Sequence, residues 1–196
     1  MNFSKYVEEE KVKMRIKNIE ELRKEIDCDW VKEKIKNHAI AFGGIITEKQ
    51  IREEILRSDV VASKFCKDPS KQNVSEILAE KILGVKKLPS SGKNCIRFND
   101  NGEIVYNKGL NTKSADFFYN GFYATQKYTN ENGGAQDNQF ADVVDFLKRG
   151  SIKYKVMAIV DGAYWDDKKK ILKNEFKNNK NVLITSIAEI TGEDEK

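Results

Sequence analysis

The chain has 196 residues, 34% of them charged and 39% apolar, with a formal net charge of +4 and a pI near 8.8. That length supports a domain with its own core, and so mild a basic excess is compatible with nucleic acid without requiring it. No apolar run approaches the roughly 18 residues of a membrane span, and the opening MNFSKYVEEEKVK is charged too early for a secretory h-region, so a soluble, cytoplasmic, membrane-free protein is expected.

Residues from about 4 to 85 read as helical. In EEEKVKMRIKNIEELRKEI, Val12, Met14, Ile16, Ile19 and Leu22 recur at mostly helical intervals. The turn Phe42-Gly43-Gly44-Ile45 separates the earlier helices. TEKQIREEILRS opens with Thr47 as N-cap and Gln50 three residues on, the pattern of a capping box. PSKQNVSEILAEKILG has Ser70 in N-cap position, an apolar stripe of Val74, Ile77, Leu78 and Ile82, and Gly84 as a stop. Cys28, Cys66 and Cys95 are odd in number and lack CxxC spacing, which argues for reduced thiols and against a disulfide framework or a zinc site. The one histidine, His38, excludes chemistry that needs two imidazoles.

After Pro89 the pattern changes. CIRF, EIVY, ADFFY, FYATQKY and YKVMAIV are short, aromatic and β-branched runs bounded by turns such as Asn101-Gly102 and Asn120-Gly121. Helices over roughly 134–148 and 167–178 interrupt them, and NVLITS forms a last strand. The expected fold class is α/β, a mixed β-sheet core flanked by helices with a helical N-terminal part: a region 1–86 and a core 87–196, integrated as one unit.

Asn-Gly between two β-prone runs is a strong hairpin signal, because a type I′ turn needs positive φ at both central residues. That turn sets Tyr119 opposite Phe122, Phe118 opposite Tyr123 and Phe117 opposite Ala124. Asp116 then lies across from Thr125 and diagonal to Lys127 on one face, at about 7–8 Å. The opposite face carries Ala115, Phe117, Tyr119, Phe122, Ala124 and Gln126. Read blandly, Asp116 and Lys127 are a surface cross-strand ion pair. The helix that follows puts Phe140, Val143, Val144 and Leu147 inward and Asp142, Asp145 and Arg149 outward. The inner stripe, extended back one turn, aims Gln136 and Asp137 at the hairpin, and the helix N-terminus suits a nearby phosphate.

An Asp on one strand and a Lys two positions beyond a second ligand position on the next, in KSADFFYNGFYATQKYTNENGGAQDNQFADVVDFL, resembles the core of PD-(D/E)XK nucleases, type II restriction endonucleases in particular. The resemblance spans about 87–187, roughly half the chain. It implies a restriction-endonuclease-like fold, Mg²⁺ on Asp116, and Lys127 serving the attacking water. Ala115 stands where such nucleases often have proline, and Thr125 where a second carboxylate is expected. Asp137 is the first candidate to replace that acid, with Asp142 disfavoured by its outward phase and Glu76 a further contributor. Gln136 joins the catalytic set, and Ser91, Lys93, Lys113, Gln136 and Asn138 are candidate DNA contacts.

Other features have ordinary readings. Asp161-Gly162 reads as a turn closing a strand rather than a metal ligand, and Tyr164 and Trp165 as core aromatics rather than base-stacking residues. Gly133-Gly134 reads as a helix start or a site of close DNA-backbone approach, and WDDKKKILKNEFKNNKN as a solvated lysine-rich face, with a phosphate-tracking stripe as its alternative. The expectation is a Mg²⁺-dependent endonuclease cutting double-stranded DNA at a specific sequence, as a homodimer. Its alternatives are a catalytically inactive nuclease-fold DNA-binding protein, a structure-specific repair nuclease, and a non-nuclease α/β domain.

Overall fold

The computed structural model describes residues 2–106, 112–130 and 134–192, the side chains of 134–136 excepted. The chain divides into two compact units, Val7–Val74 and Met1–Tyr6 with Ser75–Lys196.

The Val7–Val74 unit holds most of α1 (Phe3–Lys24), with α2 (Asp29–Ala41), α3 (Glu48–Arg57) and α4 (Asp59–Phe65). Its core is built on Leu22, Val31, Ile35, Ile55, Ala62 and Phe65. The Thr47 capping box forms as expected: Gln50 N–H donates to Thr47 Oγ1 at 3.3 Å, and Thr47 N–H donates to Gln50 Oε1 at 2.9 Å. His38 lies against the Phe65 ring, centroids 4.6 Å apart. Ser70 is not a helix N-cap. Asp68 caps a short 3₁₀ turn, Pro69–Lys71, and Asn73 at φ +53° breaks the path before the next helix.

That next helix, α5 (Val74–Leu83), belongs from Ser75 onward to the sheet unit and not with the N-terminal helices. Glu80 Oε1 accepts from Lys87 N–H at 3.0 Å, which folds the following loop back on α5. Gly84, at φ +63°, ends the helix as expected.

A ribbon of β1 (Arg97–Phe98) and β2 (Ile104–Val105) stands apart from the main sheet. The four-stranded sheet runs β3 (Phe117–Tyr119), β4 (Phe122–Tyr128), β5 (Val156–Asp161), β6 (Val182–Thr185). The first pair is antiparallel in the expected register, Tyr119 opposite Phe122 and Phe117 opposite Ala124. Its turn has φ +48° at Asn120 and +82° at Gly121, the signs a type I′ hairpin needs. The other pairs are parallel, bridged by α6 (Gly134–Gly150) and α7 (Trp165–Glu175). All six residues of β5 are buried, so its sequence does not alternate.

Tyr123 and Thr125 of β4 align with Val156 and Ala158 of β5, and Lys127 with Val160. Val143, Phe146 and Leu147 of α6 pack with those β5 residues in one core cluster, which also holds Tyr164 and Trp165 as expected. A short α8 (Ile187–Thr191) closes the chain through a second capping box, Ser186 with Glu189. Among the described residues, no helix is long and apolar enough to cross a membrane.

Candidate active site

Asp116 lies one residue before β3, and there the ladder shifts. Continued register would set Asp116 opposite Thr125, but its N–H donates to Ala124 O at 2.8 Å, while its own C=O accepts from Leu88 N–H at 2.8 Å. The carboxylate supplies what the main chain no longer offers: Oδ2 accepts from Gln126 N–H at 2.9 Å and from Thr125 Oγ1 at 3.1 Å. Asp116 is 1% exposed, so the reading as a surface ion pair fails on burial.

Its ion pair is with Lys113, whose Nζ donates to Oδ1 at 2.7 Å. Lys113, expected as a DNA contact, is therefore turned inward, its side chain only 15% exposed. Thr125, at the position expected for a second acid, is fully buried and acts as a donor to the first.

Lys127 follows two residues after Thr125, on the same face. Among the described residues it makes no ion pair with Asp116. Burial pushes its amine below the ordinary 10.5, and the ammonium of Lys113 pushes it further, against the carboxylates of Asp116, Asp142 and Glu76. Charge around Lys127 is thus mixed, with desolvation outweighing the acids.

The structure brings Glu76 to this neighbourhood. It forms an ion pair with Lys87, and the adjacent Leu88 carries the N–H that binds Asp116 C=O. Asp137 is not brought in. Its Oδ1 accepts from Tyr164 OH at 3.2 Å and lies 3.8 Å from Lys168, because the first turn of α6 leans on α7. Asp142 is exposed, as its phase implied, yet its charge reaches Lys127. The cause is helical pitch: Thr129 Oγ1 donates to Gln139 Oε1 at 3.2 Å, and Asp142, three residues on, lies one turn along the same stripe. Lys113 as counter-ion and Gln139 are what sequence reasoning missed; the i, i+3 spacing of Gln139 and Asp142 was the available signal.

Ser91, Lys93 and Asn138 are exposed, and nothing in the fold ties them to Asp116. The side chain of Gln136, and Gly133 altogether, lie outside the described residues. Asp161 is buried and both its oxygens accept from Ile187 N–H, at 3.1 and 3.3 Å, so it anchors α8. A Cβ on Gly162, at φ +98°, would lie 2.4 Å from Thr129 O, which explains the glycine after it. The α7 lysines are paired, Lys168 with Asp137 and Lys169 and Lys173 with Glu189, in keeping with a solvated face.

Among the described residues no three His, Cys, Asp or Glu side chains form a metal cluster. A hard cation that keeps most of its waters needs only one or two carboxylates. Asp116 Oδ1 already carries a positive group in Lys113 Nζ, and Asp142 and Glu76 are the other acids whose charge reaches Lys127, so Asp116 with Glu76 is the carboxylate pair that could hold such a cation. Comparison with protein-family models, curated proteins and solved structures yields no match to this chain.

Proposed function

We propose that the chain is a Mg²⁺-dependent endonuclease of the PD-(D/E)XK type, a type II restriction enzyme that works in the cytoplasm as a homodimer on double-stranded DNA. One observation carries this reading: the buried carboxylate of Asp116, just before β3, accepts from Thr125 Oγ1 on β4, two residues before the desolvated amine of Lys127. Desolvation lowers the cost of removing the proton from the Lys127 amine, and so favours the neutral form that can accept a proton from water. In the proposed step Nζ takes that proton, the hydroxide adds to phosphorus, and the bond to the departing sugar oxygen breaks, that oxygen gaining a proton from solvent. A divalent ion held by Asp116 and Glu76 would polarise the scissile phosphate as a Lewis acid. Lys113 neutralises Asp116 and crowds Lys127 with like charge, which keeps the amine depressed.

The test is cleavage of several plasmids of known sequence in Mg²⁺ by the intact chain and three variants. Discrete fragments from the wild type, a loss of at least about 100-fold in Lys127→Ala, a comparable loss in Glu76→Gln and near-normal cutting by Asp137→Asn are expected. Full activity in Lys127→Ala would exclude the mechanism.

A second reading, a nuclease-fold DNA-binding protein that does not cut, is favoured by a specific feature. Both Asp116 oxygens are engaged by the chain's own donors, and Thr125 brings no second charge. Retained binding without cleavage of any plasmid would decide for it.

A further inference from the structure

The helical unit contains a cleft of about 750 Å³ that the hairpin chemistry does not use. It is lined by Arg15 of α1, Lys34 of α2, Lys64 of α4, and Lys67 and Lys71 of the segment that follows, with Asp68 as its one acid. Five cations against one carboxylate give an excess of four, as large as the formal excess of the whole chain. The rest of the chain is balanced in formal charge, and the cleft's excess is gathered in a unit of fewer than half the residues.

Many cations elsewhere are matched with acids, such as Lys148 with Glu175, Lys153 with Glu103 and Lys170 with Asp167. Among the described residues, none of the five in the cleft makes an ion pair within 4.0 Å. Lys34 instead donates to a carbonyl, Phe65 O, at 2.6 Å. Buried Asn18 holds the same segment from α1, its Nδ2 donating to Lys67 O and to Gln72 Oε1, each at 2.8 Å. Two side chains therefore fix the backbone on either side of Cys66, and Lys67 projects from a braced segment. Arg15, Lys64, Lys67 and Lys71 are exposed. Gathering like charges is unfavourable in the free protein, and an anion with several spaced charges relieves it.

We propose that this cleft is a second DNA contact, a seat for consecutive backbone phosphates that holds duplex DNA without reading its sequence. The partner assigned rests on the nuclease reading; the demand for a polyanion rests on the cleft alone. The cleft is lined by no aromatic ring on which a base would stack, and lysine ammonium groups suit phosphate as point charges.

The experiment measures binding of a fluorescent 30-base-pair duplex from about 50 to 300 mM salt, with the full chain carrying Lys127→Ala to prevent cutting. It compares that parent with Lys64→Gln/Lys67→Gln/Lys71→Gln and with a control of equal charge change, Lys148→Gln/Lys153→Gln/Lys170→Gln. Each phosphate contact removed lowers the slope of log K against log salt by about 0.9. The cleft triple is expected to bind at least tenfold more weakly at low salt, with a slope smaller by two to three such contacts, while the control stays near the parent. Arg15→Gln/Lys67→Gln, on two different elements, guards against a local folding defect and should lose about two contacts. Equal behaviour of the cleft and control triples, or no duplex binding by the parent, would overturn the proposal. Plasmid cutting by the wild type together with an inert cleft would leave the nuclease reading standing. Cleft-dependent binding with no cutting would do the reverse.

Discussion

Replacing Asp116 with alanine tests the geometry on which the site depends. The side chain is 1% exposed and accepts three hydrogen bonds, from Lys113 Nζ at 2.7 Å, Gln126 N–H at 2.9 Å and Thr125 Oγ1 at 3.1 Å. Alanine leaves the Gln126 N–H buried without an acceptor, at about 1–3 kcal/mol. It also strips the counter-charge from Lys113; breaking a buried pair costs about 3–5 kcal/mol. Lys113 retains 15% exposure and can turn toward water, which removes much of the second contribution. The expected loss is therefore about 3 kcal/mol for Asp116→Ala, against about 1–2 kcal/mol for Asp116→Asn, which keeps one accepting oxygen for Gln126 N–H and loses the charge and the second acceptor toward Lys113. Urea unfolding at pH 7 followed by Trp165 fluorescence in a Trp30→Phe background reports the sheet unit alone, since the two tryptophans lie in different units. A loss below about 1 kcal/mol in Asp116→Ala, or equal losses in both variants, would refute the buried-acceptor geometry.

The depressed Lys127 amine gives stability a pH dependence of definite sign. Below its folded pKa both states hold the proton and the fold carries the whole penalty of a buried ammonium; between that pKa and the ordinary 10.5 the unfolded chain binds more protons, so stability rises with pH. Lys127→Met should accordingly be more stable than wild type at pH 7, with the gap narrowing toward pH 10.5 in a series of urea midpoints; a gap independent of pH would contradict burial as the cause. Gln126 is buried with neither amide atom hydrogen-bonded, so Gln126→Met should gain about 1–3 kcal/mol in the same assay, and a net loss would mean that the amide has a partner.

Much of the sheet was legible because its signals are local. Asn120-Gly121 dictates a turn through backbone sterics, and once the turn is set every residue across the hairpin follows. Thr47 and Gln50 form their capping box for the same reason. The Ser186 and Glu189 box carried an equal signal and was passed over, so α8 went unforeseen. Ser70 failed as a cap because Asn73, three residues later, takes a left-handed conformation that sequence alone does not announce. At the site, local rules placed Asp116 and Lys127 on one face but could not supply the ladder shift, which depends on Leu88 arriving from α5. Helical phase correctly sent Asp142 toward solvent but misjudged Asp137, whose direction is set by contact with Tyr164, the residue before α7, and with Lys168 on α7. Side-chain direction followed from periodicity wherever one element decided it, and escaped wherever two elements met.

Lys113 has a consequence for how the protein is made. Many acid-lined centres hold a bare carboxylate that repels its neighbours until an ion arrives, which ties maturation to cation supply. Here the neutralising group is part of the polypeptide, so the Asp116 pocket can close as the chain leaves the ribosome without waiting for an ion. On the proposed function, loading at Oδ1 would be an exchange, in which a tethered ammonium would have to swing aside, and its leash, the three-residue step from Lys113 to Asp116, would set how readily it returns.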